Sequence, residues 1–337
     1  MIDDNAYGTR DKRGNWKPSA LVEYPPVFVW PVRPLGLWKW FFGMPGHLLP
    51  WNALYAAIAF LCWSFATPPL DVMTSLAPGW VLFLLARNAV LTIAFYSAFH
   101  LPLYVRRRQG GAFKYNAKWP DRDNSTFLFR NQLWDNVAWS LGSGVVIWTA
   151  YEAATLWAFA NGIIPFLDWR QHPIGFALWL LAIPLFRELH FYAVHRMIHW
   201  PPLYRAVHRL HHNNVNPGPW SGLAMHPVEH ILYFSGVLVH WIIPSHPIHA
   251  LFQLIHAGLS PAVGHAGFDR VRLGRAAFPT ESYAHYLHHK YFECNYADGT
   301  IPLDRWFGTF HDGSEAAHEV MNRRFLARNA GAKRGAS

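Results

Sequence analysis

Four long apolar runs constrain this chain more than any other feature. A helix needs about 20 apolar residues to cross roughly 30 Å of hydrocarbon. Stretches near 51–67, 78–104 and 137–161 approach that length, and a fourth run begins at Pro173 with "PIGFALWLLAIPLF". A further apolar pair at about 229–264 is interrupted by "IPSHP" and reads as a hydrophobic hairpin. Only 15% of the 337 residues are charged, against about a quarter in an ordinary soluble domain. The alternative is a soluble helical protein with an unusually large core, but an average domain does not supply so many long apolar runs. The expected fold is therefore an all-α integral membrane protein with about four transmembrane helices plus the hairpin.

The basic residues orient the spans. Arg10, Lys12, Arg13, Lys17, Arg33 and Lys39 precede the first run, and the loop at 105–132 is rich in Arg and Lys. The turn between the first two runs, "TPPLDVMTSLAP", has neither. The positive-inside bias then puts the N-terminus and the 105–132 loop in the cytosol. The net charge of +9 does not point to nucleic acid, because no compact basic patch with interleaved aromatics exists. Cys62 and Cys294 give no disulfide framework, and the polar first twenty residues carry no secretory signal. Residues 1–50 read as a polar segment followed by an interfacial stretch at 36–51. Residues 51–132 read as two spans and a basic cytosolic loop, 133–312 as a catalytic domain, and 313–337 as a polar tail whose end, "GAKRGAS", reads as disordered.

The chemistry lies in the histidines. The fourth run continues as one helix from Pro173 to Trp200, closed by Pro201 and Pro202 and able to kink at Pro184. At roughly 40 Å it is longer than the hydrocarbon is thick, so its last turns project into the cytosol. There His195 and His199 stand four apart on one helical face. Glu188 falls within roughly 20° of both, whereas His190 lies about 140° from His195 and is left out of the site. The spacing HxxHH then occurs twice, as His208, His211, His212 and as His285, His288, His289. Neutral imidazoles are ligands for iron, copper, zinc and nickel, and crowding them without a metal is costly. An HxxHH element can give two histidines to one metal and one to its neighbour, so these boxes supply enough ligands for two. All the boxes fall on the cytosolic side. His226, in "AMHPVEH", and His265, in "VGHAGF", are further candidates. His240, His246, His249 and His256 belong to the hairpin and read as packing or interfacial residues.

The boxes "ELHFYAVHRMIH", "HRLHH", "AMHPVEH" and "HYLHH", with the closing segment "NYADGTIPLDRWFGTF", resemble those of the fatty acid hydroxylase/sterol desaturase superfamily of membrane di-iron oxygenases. The likeness covers roughly 130–310. It implies a helical membrane stem with a cytosolic helical cap, two iron ions, O2 as co-substrate and an external electron donor. It implies metal ligation by His195, His199, His208, His211, His212, His285, His288 and His289. His265 is similar to a lone histidine that follows the hairpin, and His226 to one found in some branches. The chain departs from the family pattern in Asn-Tyr-Ala-Asp for Asn-Tyr-Gly, in Leu303 before Asp304, and in His190 at a position that is often aromatic.

The function this implies is oxidation of a C–H bond in a fatty acyl, sterol or alkyl lipid that enters from the bilayer. The electrons would come from a cytochrome b5-, ferredoxin- or reductase-type partner. The site would face the cytosol at a bacterial inner membrane or the endoplasmic reticulum. Glu188 and Glu229 are the candidate carboxylates that orient histidines by hydrogen bonding. A zinc-dependent membrane hydrolase is the rival enzyme, but HExxH is absent where the chain reads "HRMIH". A haem-binding membrane subunit would need facing histidines in two spans, not HxxHH boxes.

Overall fold

A computed structural model of the protein describes residues 3–274 and 276–334. It opens with an antiparallel hairpin, β1 (Gly8–Arg10) and β2 (Trp16–Pro18), followed by α1 (Pro34–Phe42), α2 (Trp51–Phe65) and α3 (Pro78–His100). Then come α4 (Gln132–Trp139), α5 (Val145–Ala160), α6 (Pro173–Ile198), α7 (Pro201–Leu203), α8 (Arg209–His212), α9 (Pro227–Phe234) and α10 (Pro247–Gly264). A second hairpin, β3 (Arg270–Leu273) and β4 (Ala276–Pro279), precedes α11 (Tyr283–Tyr291), α12 (Leu303–Trp306) and α13 (Glu315–Arg334). The architecture is mostly helical, and each hairpin is a two-stranded sheet of its own.

Among the described residues, two helices are long and apolar enough to cross a membrane. One is Pro78–Val105, in which α3 continues through a wider π-type turn at Leu101–Val105, and the other is α6. Of the most apolar window in each, only 28% and 17% is buried, so neither has the surroundings of a core helix in a soluble protein. The other two expected spans are not among them. α2 has 15 residues, and the run at 137–161 is helix throughout, continuing from α4 through a π-type turn at Ser140–Gly144 into α5, but carries buried Glu152. Proline marks the helix starts as expected, at Pro173, Pro227 and Pro247, where its missing N–H would be unpaired in any case.

The hairpin at 229–264 has a different role from a shallow membrane insertion. Its second arm, α10, buries 16 of its 18 residues and packs against α2, α3, α5 and α6. It is the central helix of the molecule. A Cβ at Gly258 would sit 2.4 Å from the Trp148 ring, so only glycine lets α5 approach α10 this closely. Among the hairpin histidines, His240, His246 and His249 are packing residues here. His240 bonds Ser245 and Gln253, and His249 donates from Nε2 to the carbonyl of Phe176. The break at "IPSHP" is the turn into α10, where the His246 ring accepts the N–H of Ile248.

Residues 1–50 are tied to the rest of the protein. Trp16 packs with Phe113, Tyr115, Tyr283 and Leu287, and its N–H donates to the carbonyl of Tyr115. At the other end, residues 331–334 continue α13, whereas the tail was expected to be disordered from 331. Residues 335–337 lie outside the described residues.

One polar cluster inside the bundle is tightly paired. Arg87 on α3 forms an ion pair with Glu152 on α5 and also donates to Asn88, Thr67 and the carbonyl of Ala66. Asn88 in turn donates to Glu152 and Thr149. Removing one partner of such a pair strands a charge in the interior. Glu152→Ala should therefore cost about 3 kcal/mol, whereas Arg87→Leu with Glu152→Leu should recover most of the loss. Thermal melting of the two variants in detergent checks this, and equal melting temperatures would refute it.

Candidate metal centre

The structure brings nine of the ten histidine candidates together in two adjoining groups. His195, His199, His208, His212 and His288 form one, and His211, His265, His285 and His289 the other. Within each group the ligand atoms lie within 4.8 Å of one another. Each HxxHH box is shared between them. His208 and His212 enter the first group and His211 the second, while His285 and His289 enter the second and His288 the first. The i and i+4 rings share a face, and the i+3 ring is offset enough to reach the neighbouring group.

Hydrogen bonds fix the tautomers. A carbonyl can only accept, so a ring nitrogen facing one must be N–H. Nδ1 of His195 donates to Tyr296 O at 2.7 Å and Nδ1 of His288 to Cys294 O at 2.7 Å. Nδ1 of His265 donates to Pro261 O at 3.0 Å and Nδ1 of His211 to Ala224 O at 3.3 Å. Nδ1 of His208 pairs with Glu229 at 2.8 Å. In the four rings that face a carbonyl, Nε2 is left as the free lone pair.

Those lone pairs converge. The Nε2 atoms of His265 and His211 are 3.3 Å apart, and both rings have their proton on Nδ1. The same Nε2 of His265 lies 3.0 Å from those of His285 and His289. Nε2 atoms of His199, His212 and His288 form a triangle with sides of 3.1–3.2 Å. Nε2 of His208 is buried with no partner at all. The Nε2 atoms of His211 and His265 are two acceptors facing each other, which repel unless a cation sits between them, and with the partnerless Nε2 of His208 beside them the donor set fits metal ions.

Burial, followed by neighbouring imidazoles, pushes His211 and His265 down to about 3. His212, His285, His288 and His289 are pushed well below their ordinary range for the same reasons. The rings are thus neutral near pH 7, the state a metal ligand requires.

The remaining candidates are placed differently. Glu229 holds His208 as described. Glu188 is buried, but its Oε1 accepts from the backbone N–H groups of Gly299, Thr300 and Ile301, not from a histidine. Sharing a helical face with His195 did not reveal this, because the partner loop lies more than a hundred residues downstream. His226 stands outside both groups, and its Nδ1 accepts the N–H of Val228 as the cap of α9. His190 bonds Ser235 Oγ and is not in either group.

The closing segment contributes groups that side-chain spacing could not disclose. Asn295 adopts φ 53° and bonds Ala284 and His311 through its side chain. The carboxylate of Asp304 accepts from the N–H groups of Tyr296 and Ala297 and from Thr309. These bonds hold the carbonyls of Cys294 and Tyr296 against His288 and His195. The only sequence signal was the segment's likeness to the family's closing motif.

The two groups lie at one end of a cavity of about 830 Å³. Its walls include Phe191 and His195 of α6, Val263 and Gly264 of α10, and Trp40 and His47 from the N-terminal region.

The fatty acid hydroxylase family model matches residues 180–309. The chain is 29% identical over 160 residues to a Delta(7)-sterol 5(6)-desaturase of Gibberella zeae, covering 45% of this chain and 49% of that one. It is 27% identical over 171 residues to the Delta(7)-sterol 5(6)-desaturase of Candida glabrata, covering 49% and 46%. It is 28% identical over 128 residues to a putative methylsterol monooxygenase of Dictyostelium discoideum, covering 37% and 47%. The chain thus spans about half the length of these curated relatives. No solved structure matches it.

Two outcomes follow from the geometry. Glu229→Gln should weaken metal affinity about 10- to 100-fold, while His226→Ala should leave it unchanged. Metal titration of both purified variants decides this, and equal behaviour would refute it. The depressed histidines also make the fold acid-sensitive. The unfolded chain takes up protons below about pH 6.5, where these folded rings stay neutral. Stability is therefore full above pH 6.5 and declines as pH falls from there towards 3. Melting temperature and bound metal should both drop between pH 7.5 and 5.0. A flat profile would contradict the tautomer and burial argument.

Proposed function

We infer that the histidine-bearing part of the chain belongs to the fatty acid hydroxylase/sterol desaturase superfamily, a reading supported by the family match at residues 180–309 and the likeness to sterol desaturases. From that premise we propose that the protein is a membrane-bound oxidoreductase that hydroxylates or desaturates a C–H bond of a lipid. Hydroxylation takes one O2, two electrons and two protons to an alcohol and one water; desaturation takes the same to an alkene and two waters. A separate electron-transfer protein, of cytochrome b5, ferredoxin or reductase type, supplies the electrons. The observation that carries the reading is the convergence of nine neutral imidazoles at the end of a cavity of about 830 Å³.

The donor set suits one iron in each group. His195, His199, His208, His212 and His288 would hold the first, and His211, His265, His285 and His289 the second. Bound iron supplies the one-electron chemistry at oxygen that no side chain in the cavity possesses. The rest falls to the chain's own groups. Glu229 and the carbonyls of Tyr296, Cys294, Ala224 and Pro261 keep the rings oriented and their protons on Nδ1. The buried walls of α6 and α10 exclude water and hold the apolar substrate beside the histidines. Through their Oε1 atoms Glu229 holds His208 and Glu188 holds three backbone amides, so each carboxyl positions a part of the protein.

With Pro78–Val105 and α6 crossing the bilayer, a lipid reaches the cavity without passing through water. The positive-inside asymmetry puts the histidine end on the cytosolic side, at a bacterial inner membrane or the endoplasmic reticulum. The reading predicts two irons per chain, no haem spectrum, and ¹⁸O from ¹⁸O2 in any lipid alcohol formed by the reconstituted protein. His211→Ala and His288→Ala should each abolish product and lower the iron content. Zinc as the sole metal, a haem spectrum, or full turnover in either variant would overturn it.

A further inference from the structure

The cavity has a polar belt at some distance from the histidines. On α6 the wall residues Arg187, Glu188, Phe191 and His195 share one face, and on α10 His256, Ser260, Val263 and Gly264 do. The cavity therefore runs between these two helices. From Arg187 to His195 and from His256 to Gly264 the path is eight residues on either side, about 12 Å. At the far end of it Arg187 pairs with Asp298, which also lines the cavity. His256, Tyr55 and Tyr233 line the same cavity, and the Arg187 charge acts on all three.

Two polar atoms in this belt are buried without a partner, Nε of Arg187 and Nδ1 of His256. The first is a donor. The second is an acceptor, by a chain of constraints. Asn52 donates from Nδ2 to the carbonyl of His47 at 2.7 Å, so its Oδ1 must accept from Nε2 of His256 at 2.8 Å. With its proton on Nε2, His256 has a bare lone pair on Nδ1. Buried polar atoms are usually paired, and a donor and an acceptor left over in one cavity wall point to a ligand that supplies both. The charges set the ligand's class. Asp298 already neutralises Arg187, and Glu188 adds a carboxyl group, so the belt carries no free positive charge. A carboxylate or phosphate head group finds no counter-ion here, whereas a hydroxyl can accept from Arg187 and donate to His256.

We propose that Arg187 and His256 form a subsite for an uncharged hydroxyl on an otherwise apolar substrate, and act as positioning residues. Resting on the lipid-oxidation reading, the carbon that reacts then lies about 12 Å from that hydroxyl. The subsite is tested by binding alone, with the full chain as purified, its metal retained and no electron donor present, in phosphatidylcholine nanodiscs and with empty nanodiscs as background. The probes are tritiated 1-hexadecanol, its methyl ether, hexadecanoate and hexadecane. One hydroxyl hydrogen bond should make the alcohol bind about three- to tenfold more tightly than the alkane. The ether should be intermediate and the carboxylate no better than the alkane. In Arg187→Leu/Asp298→Leu and in His256→Leu the advantage should fall towards one, and His256→Gln, which keeps a donor and an acceptor, should restore part of it. The parent comparison needs no variant and stands if these fail to fold. Hexadecanoate outbinding the alcohol, equal binding of alcohol and alkane, or no binding of any probe would overturn the subsite. Selective alcohol binding without any oxidation product after iron loading would support the subsite and strike only the oxidation reading.

Discussion

Nine imidazoles facing inward are a repulsive arrangement, and much of the structure exists to hold them there. In His195, His211, His265 and His288 the Nε2 lone pair points inward because the Nδ1 proton is committed to a backbone carbonyl. Those carbonyls come from distant parts of the chain: Ala224 beside α9, Pro261 within α10, and Cys294 and Tyr296 after α11. Each must be delivered at hydrogen-bond distance to a particular ring. The proline inside α10 and the left-handed backbone at Asn295 both lie where such a carbonyl is presented. A metal ion turns this repulsion into binding energy, so folding and metal affinity are coupled.

The bracing extends into residues outside the matched segment. Tyr104, at the π-type turn that ends the first long helix, donates its hydroxyl between the carbonyls of Pro217 and Ala266, and Ala266 follows His265 directly. Lys114 is buried and reaches the carbonyls of Asn116 and Lys118 and the side chain of Asn216. Trp16 and Tyr115 pack on Tyr283 and Leu287 of α11, the helix that carries three of the histidines. The N-terminal third, which shares no motif with the family, therefore holds the histidine cap in place and closes part of the cavity wall through Trp40 and His47.

The cavity and the metal site share two helices, which gives the molecule its functional axis. α6 and α10 each present histidines near their C-terminal ends and other wall residues along the same face. Through His195, His199 and His265 these two helices also reach the histidine groups, while the other six histidines come from α8, the turn before it, and α11. Sites carried on such elements are held more tightly than sites on loops.

The sequence alone determined the things that depend on local spacing. Repeated HxxHH boxes specify imidazoles on helical faces, prolines specify helix starts, and unbroken apolar runs specify helices that water does not cover. The division of each box between two groups is a consequence of the 3.6-residue turn. Other features were decided only by the tertiary fold. That α10 is the central helix follows from what packs around it, since an apolar helix reads the same whether it faces lipid or protein. Glu188 shares a face with His195 yet binds a loop more than a hundred residues away, and His226 sits in a histidine-rich stretch yet caps its own helix. The carbonyls that set the tautomers carry no residue-type signature, because every residue has one. Which of them meets a histidine is fixed by contacts such as His195 with Tyr296, 101 positions apart, and no local pattern encodes a contact of that range.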